Sequence, residues 1–213
     1  MTAMEAESLE QEGGGRSDSA KRRQIMEGAR AVFLSAGFDG ASMNDVARAA
    51  GVSKGTLYAY FNSKEELFEA IIRAEHAQAA ERLCAFPPDC GDVRAMLTDF
   101  GVRLLNRMTE PSHLALARII VAAVEKFPSI GRAFFEAGPL YGNSRLAAQL
   151  RKLEEAGTLR VPDPERAAWH FVDLCQSYVY KRVLFGVVES ASREDIEASV
   201  RAGVDVFLKA YGV

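Results

Sequence analysis

Between Lys54 and Tyr60 the chain reads KGTLYAY, and four of these residues carry hydrogen-bond donors. Lys54, Thr56, Tyr58 and Tyr60 suit phosphate oxygens or base edges. Gly55 costs about 1 kcal/mol relative to Ala inside a helix, so a second role is expected for it. With Ala59 one turn on, it makes a flat strip that lets a surface approach the backbone closely. Leu57 and Phe61, four residues apart, face inward with Val52 and leave the donors on the outer side. Aromatic residues on the outside of so short a helix are hard to justify by packing, and they fit a groove. Ser63 caps the next helix with Glu66 as its capping-box partner. That cap sets Lys64 and the free N–H groups of the first turn where a phosphate could sit.

Metal and covalent chemistry have weaker footing. Glu110-Pro-Ser-His113 has the E-x-x-H spacing of di-iron helical bundles, but the second pair such a site needs is missing. Arg73 and Ala167 stand three residues before His76 and His170, and Pro111 opens a helix inside the one match. There is no phosphate-cradling Gly-Lys loop, no dinucleotide fingerprint and no G-x-S-x-G elbow. No catalytic residues, metal or cofactor are therefore expected. Cys84, Cys90 and Cys175 form an odd set without a C-x-x-C pair and read as small buried apolar residues.

The elements that must position Lys54 to Tyr60 are legible around them. A first helix is predicted from Ser19 to Ser35, with Ile25, Ala29, Val32 and Phe33 on one stripe and Gly37 as its left-handed stop. Lys21, Arg22 and Arg23 crowd its first turn, against the helix dipole. They serve either an external anion or plain solubility. Ser42 and Asp45 make a capping box for a short helix whose apolar side is Met43, Val46, Ala47 and Ala50. Gly51 ends that helix, Val52 plugs the turn, and Ser53 caps the helix at Lys54. Two short helices across a tight glycine turn make a helix-turn-helix.

The 213 residues hold 26 Lys and Arg against 29 Asp and Glu, a net charge of −3 that hides a dipolar layout. Residues 1–15 carry −4, residues 16–64 carry +4 and residues 65–213 carry −3. A basic segment beside an acidic remainder fits a nucleic-acid head on a differently employed body, although a solvated face can carry the same charge. Hydrophobic content of 48% and charged content of 26% exclude wholesale disorder. The longest uncharged run, between Lys54 and Lys64, is too short to span a membrane. The opening residues lack the basic start and apolar core of a secretory signal, so a cytoplasmic location is expected. Residues 1–18, with Gly13-Gly14-Gly15, read as a disordered arm. Further helical patterns run over about 91–108, 112–125, 128–137, 139–156, 164–187 and 192–210, punctuated by Pro111, Pro128, Pro139 and the loop from Gly157 to Pro164. No stretch alternates with period two for long enough to propose a sheet. The fold class is all-α, with nine to ten helices.

The stretch GASMNDVARAAGVSKGTLYAYFNSKEELF closely resembles the TetR/AcrR family of bacterial transcriptional regulators, over residues 19 to about 72. The resemblance implies a three-helix DNA-binding head over 19–64, with 43–50 as the supporting helix and 54–60 as the recognition helix. A linking helix over 63–84 then leads to an effector-binding and dimerising body, residues 65–213. By matching motif positions, Ser42, Lys54, Gly55, Thr56, Tyr58, Tyr60 and Lys64 are the implied DNA contacts. The sequence departs from many relatives at Ala59, where they carry a larger side chain. From Leu114 through FPSIGRAFFEAGP to Leu150 the body resembles the AefR-like subgroup.

Most apolar bulk in the body is read as core. Polar residues interleaved with it are candidates to hold an otherwise apolar effector: Arg103, Arg118, His170, Asp173, Gln176 and Tyr178, with Phe134 and Trp169 beside them. His170 reads equally as a half-exposed helix residue. Pairing of two copies is expected through helices 139–156 and 164–187, on faces that include Tyr141, Arg145, Ala148, Val172, Gln176 and Val179. Two recognition helices about 34 to 36 Å apart would read successive major grooves, which one head cannot do. The resulting expectation is a cytoplasmic, nucleoid-associated homodimer that binds double-stranded DNA, a repressor released from a palindromic operator by a small, largely apolar effector. The competing readings are an activator, a constitutive binder, and a helical ligand-binding or catalytic module with a vestigial head.

Overall fold

The computed structural model describes the backbone of residues 3–86 and 91–213, and the side chains of these residues apart from 3–17, 78 and 80–82. The arm expected over 1–18 lies outside this side-chain description up to Ser17, and Cys90 lies outside it altogether. Among the described residues there is no strand, only an isolated bridge between Leu159 and Gly212. The elements run α1 (Ala3–Gly40), α2 (Met43–Ala50), α3 (Lys54–Tyr60), α4 (Lys64–Leu83), α5 (Val93–Thr109) and α6 (Pro111–Ala123). They continue with α7 (Pro128–Phe135), a π turn (Glu136–Leu140), α8 (Tyr141–Glu155), α9 (Pro164–Gln176), α10 (Val179–Leu184) and α11 (Arg193–Tyr211).

Two compact units emerge, one of residues 1–73 with 119–131 and one of residues 74–118 with 132–213. In the first, α1 is interrupted where expected, by Gly37 at φ 70°. Ser42 caps α2 by accepting from the Asp45 N–H, and Gly51 ends it at φ 64°. Ser53 caps α3 by accepting from the Thr56 N–H. Ile25, Phe33, Val46, Leu57, Phe61 and Leu67 are buried, each stabilising the fold by roughly 1.5 to 3 kcal/mol. Gly28 has a packing reason to be glycine: a Cβ there would stand 2.6 Å from the Ala50 Cα. The Gln24 amide donates to the Ala50 carbonyl at 2.7 Å and fixes the same crossing.

Residues 119–131 group with this unit, a placement the sequence boundaries at 64 and 65 do not anticipate. Phe127 meets Phe38 at 4.8 Å, and the Lys126 ammonium pairs with the Asp39 carboxylate at 2.7 Å, which pulls the Asp39 pKa down. Both contacts join residues nearly ninety positions apart, beyond the reach of any periodicity.

In the second unit Leu97, Phe100, Leu146, Leu150, Phe171, Val200 and Phe207 form one core with Cys84 and Cys175. One expected break is absent and one break appears that was not expected. Pro139 does not separate helices but sits inside the π turn. A proline ring clashes with the carbonyl four residues back in an α-helix, and the wider π turn moves that carbonyl aside. The helix expected over 164–187 divides at Ser177 and Tyr178 into α9 and α10, where the Ser177 hydroxyl turns back to the Leu174 carbonyl at 3.0 Å.

Candidate functional site

The outer side of α3 is open. Lys54, Gly55 and Ala59 are exposed, Tyr58 retains 42% of its surface, and a Cβ added to Gly55 would meet only the Ser53 Oγ at 3.8 Å. Leu57 beneath is fully buried, so the helix is held from below and its strip faces out. The Lys54 ammonium lies 5.9 Å from the centre of the Tyr58 ring. The Thr56 hydroxyl is within 2.8 Å of the Ser53 hydroxyl and belongs to the cap. Ser42 is exposed, and its hydroxyl donates to Asp45 Oδ2 at 2.5 Å, which lowers the Asp45 pKa.

Two of the expected contacts have work inside the protomer. Tyr60 is half-buried and donates to Asp18 Oδ1 at 2.6 Å, a bond that raises its pKa. Lys64 donates to the Phe38 carbonyl at 3.0 Å, lies 3.5 Å from the Asp39 and Ala41 carbonyls, and sits 4.6 Å above the Phe38 ring. A cation at the carbonyl end of a helix is favourable, so Lys64 closes α1. Arg22 likewise stacks on the Phe61 ring at 4.9 Å.

The body holds a second candidate, a cavity of about 260 Å³. Phe134, Trp169 and Gln176, three of the expected effector residues, line it together with Phe100, Phe135 and Leu104. Trp169 stacks on Phe135 at 5.7 Å with 7° between the planes. The remaining expected residues lie outside the lining, each with another partner. Arg103 pairs with Asp99 and donates to the Leu83 carbonyl, and Arg118 donates to the Val183 and Leu184 carbonyls. His170 pairs with the Tyr211 hydroxyl at 2.7 Å, Asp173 accepts from the Gln176 amide, and Tyr178 is exposed under Arg182. These long polar side chains reach solvent or a helix end more readily than an apolar interior.

Beside Gln176, the polar residues that line the cavity are His76, His113, Asn143 and Arg107. The two imidazoles lie 6.0 Å apart between centroids, and both contact Phe134. Burial holds both below the ordinary histidine value, His113 to about 4, with the nearby Arg107 charge acting in the same direction. Asn143 donates to the Pro139 carbonyl at 2.9 Å, inside the π turn. His76 Nε2, His113 Nδ1 and Asn143 Oδ1 are buried without a hydrogen-bond partner. Sequence reasoning weighed His76 and His113 only as metal ligands and missed Asn143; the available signal was that the chain has just three histidines.

The faces expected to pair two copies are mixed. Tyr141, Arg145 and Ala148 are exposed, but Val179 is buried in the core and Gln176 turns to the cavity. Leu140, Tyr141, Tyr178, Phe185 and Val187 are the exposed large apolar residues of this region, with Phe185 at 78%.

An open recognition helix on a helix-turn-helix, carried by an all-helical chain with an apolar cavity, defines a DNA-binding regulator. Residues 25–71 match the model of bacterial regulatory proteins of the tetR family, and residues 95–213 match the AefR-like transcriptional repressor C-terminal domain. The chain belongs to the TetR family of bacterial transcriptional regulators, whose members are not enzymes. A TetR-family regulator from Mesorhizobium loti is 29% identical with a TM-score of 0.82, the match covering 92% of this chain and 98% of that one. A protein described as the flavonoid-responsive regulator FrrA is 35% identical with a TM-score of 0.79, over 91% of this chain and 98% of that one. The transcriptional repressor AcnR of Corynebacterium diphtheriae is 38% identical over 63 residues, only 30% of this chain and 33% of AcnR. No helix among the described residues is long and apolar enough to cross a membrane.

Proposed function

We propose that the protein is a homodimeric repressor that acts on the bacterial nucleoid, holds a palindromic operator, and releases it when a small, largely apolar effector fills the body cavity. The carrying observation is the exposed glycine-alanine strip of α3 with Lys54 and Tyr58 beside it. Lys54, Thr56 and Tyr58 contact the groove, with Gly55 allowing close approach and Ser42 at the start of α2 facing a phosphate. Tyr60 and Lys64 brace α3 and α1, so they act on DNA mainly through position. Two copies joined through α8, α9 and α10 supply the second recognition helix, and the exposed Tyr178, Phe185 and Val187 favour that face.

The cavity supports the effector half of the reading, as does the description of FrrA as flavonoid-responsive. Residues 64–73 of α4 belong to one unit and 74–83 to the other, and α6 and α7 cross the same division, which makes α4 one of three covalent routes for coupling. An effector that prefers one head spacing shifts the population, and a coupling of about 1 to 3 kcal/mol lowers operator affinity 5- to 150-fold. Genomic footprinting of the purified protein supplies the operator, and fluorescence anisotropy on it tests the reading. Lys54→Ala with Tyr58→Ala should weaken binding at ~100 mM salt and flatten its salt dependence. Equal binding by the wild type and this double variant would favour a ligand-binding module with a vestigial head.

A further inference from the structure

Among the described residues, the three buried side-chain polar atoms without a partner all belong to residues lining one cavity: His76 from α4, His113 from α6 and Asn143 from α8. Each residue is more than nine-tenths buried, at 8%, 7% and 4% exposure. A polar atom withdrawn from water without a partner is destabilising, and three such residues around one apolar space call for a ligand that answers them. The site is also built around them. A Cβ at Gly138 would stand 2.6 Å from the His76 ring, so only glycine in the π turn leaves that imidazole its place. The Asn143 amide nitrogen is held by the Pro139 carbonyl, which leaves the oxygen as an acceptor that needs a donor.

Charge narrows the ligand further. Arg107 is the one cation among the described lining residues, and it already faces two carboxylates, Glu110 at 2.5 Å and Glu75 at 4.0 Å. An acid entering the cavity would compete with both and find no other cation. Phe100, Phe134 and the stacked Phe135 and Trp169 present flat apolar surface to the rest of the molecule.

We infer that this cavity takes an uncharged aromatic compound bearing hydroxyl groups, whose hydroxyls pair with His76 Nε2, His113 Nδ1 and Asn143 Oδ1. This rests on the effector reading and names its chemistry. Neutral imidazoles are the right partners, since each can offer a lone pair or an N–H to a hydroxyl, and Asn143 selects a donor over an ether.

Equilibrium dialysis of the full chain against naphthalene, 2-naphthol, 2-methoxynaphthalene and 2-naphthoate tests it. 2-Naphthol should bind at least about 10-fold more tightly than each of the other three. In His113→Phe and Asn143→Leu that advantage should shrink to a few-fold, while retained naphthalene binding reports an intact cavity. Equal affinity for naphthalene and 2-naphthol, tighter binding of 2-naphthoate, or binding of none of the four would overturn the inference. The regulator reading fails separately, if 2-naphthol binds in dialysis yet leaves operator affinity unchanged.

Discussion

On α3 the polar side chains either stand in water, as Lys54 and Tyr58 do, or close a local cap, as Ser53 and Thr56 do. Around the body cavity three polar atoms are buried without a protein partner. The first arrangement costs the free protein little, because water satisfies the donors. The second weakens the free protein, and a ligand that answers those atoms would offset the cost. On this reading the head is stable empty, whereas the body exchanges some stability for a place to hold a ligand.

Forcing the head apart should give the largest effect. Gly28→Val places side-chain carbon into the Ala50 backbone, an overpacking of about 1 to 3 kcal/mol or more, and DNA binding by anisotropy should be lost. Trp169, the single tryptophan, reports the body in the same sample, and its emission should remain as in the wild type.

Acid should strike the cavity next. An unfolded histidine takes its proton near pH 6.5, but folded His113 refuses it until about pH 4, and His76 shifts in the same direction. The unfolded state binds more protons in that window, so stability is full above about pH 6.5 and falls as pH drops toward 4. The loss attributable to His113 is on the order of 3 kcal/mol, measurable by urea melts across that range. His113→Phe should flatten the profile.

Single contacts on the recognition face come third. Tyr58→Ala and Lys54→Ala should each cost about 1 to 3 kcal/mol of operator affinity, and the lysine change should lower the salt slope by about one. Their thermal melts should match the wild type, since neither side chain supports the core. In the cavity Asn143→Leu removes an unpartnered oxygen but also the amide bond to the Pro139 carbonyl, so the stability of the empty protein should change by less than about 1 kcal/mol in thermal melts while ligand affinity falls. Tyr60→Phe should produce the smallest change, under about 1 kcal/mol in either assay, because the bond to Asp18 that it removes is exposed.

Much of the head could be read directly from the chain because its determinants are local. The caps Ser42 with Asp45 and Ser53 with Thr56 span three residues, as does Ser63 with Glu66, and the inward pair Leu57 and Phe61 spans four. Such spacings are set by helix geometry alone, and the exposed strip follows from which side is apolar. Lys64 shows the limit of that logic. Its position matches a phosphate contact, but the carbonyls it serves are about 25 residues away.

By itself, then, the sequence determined the all-helical fold, the helix-turn-helix and the outward strip of α3, since turn chemistry and the 3.6-residue period act over a few positions. Tertiary structure alone decided that 119–131 joins the head, that Pro139 sits in a π turn, and that His76, His113 and Asn143 converge. Those three residues come from different helices, and each looks ordinary in its own neighbourhood. What sets them apart is burial without a partner, and that property exists only once distant segments have closed around the same space.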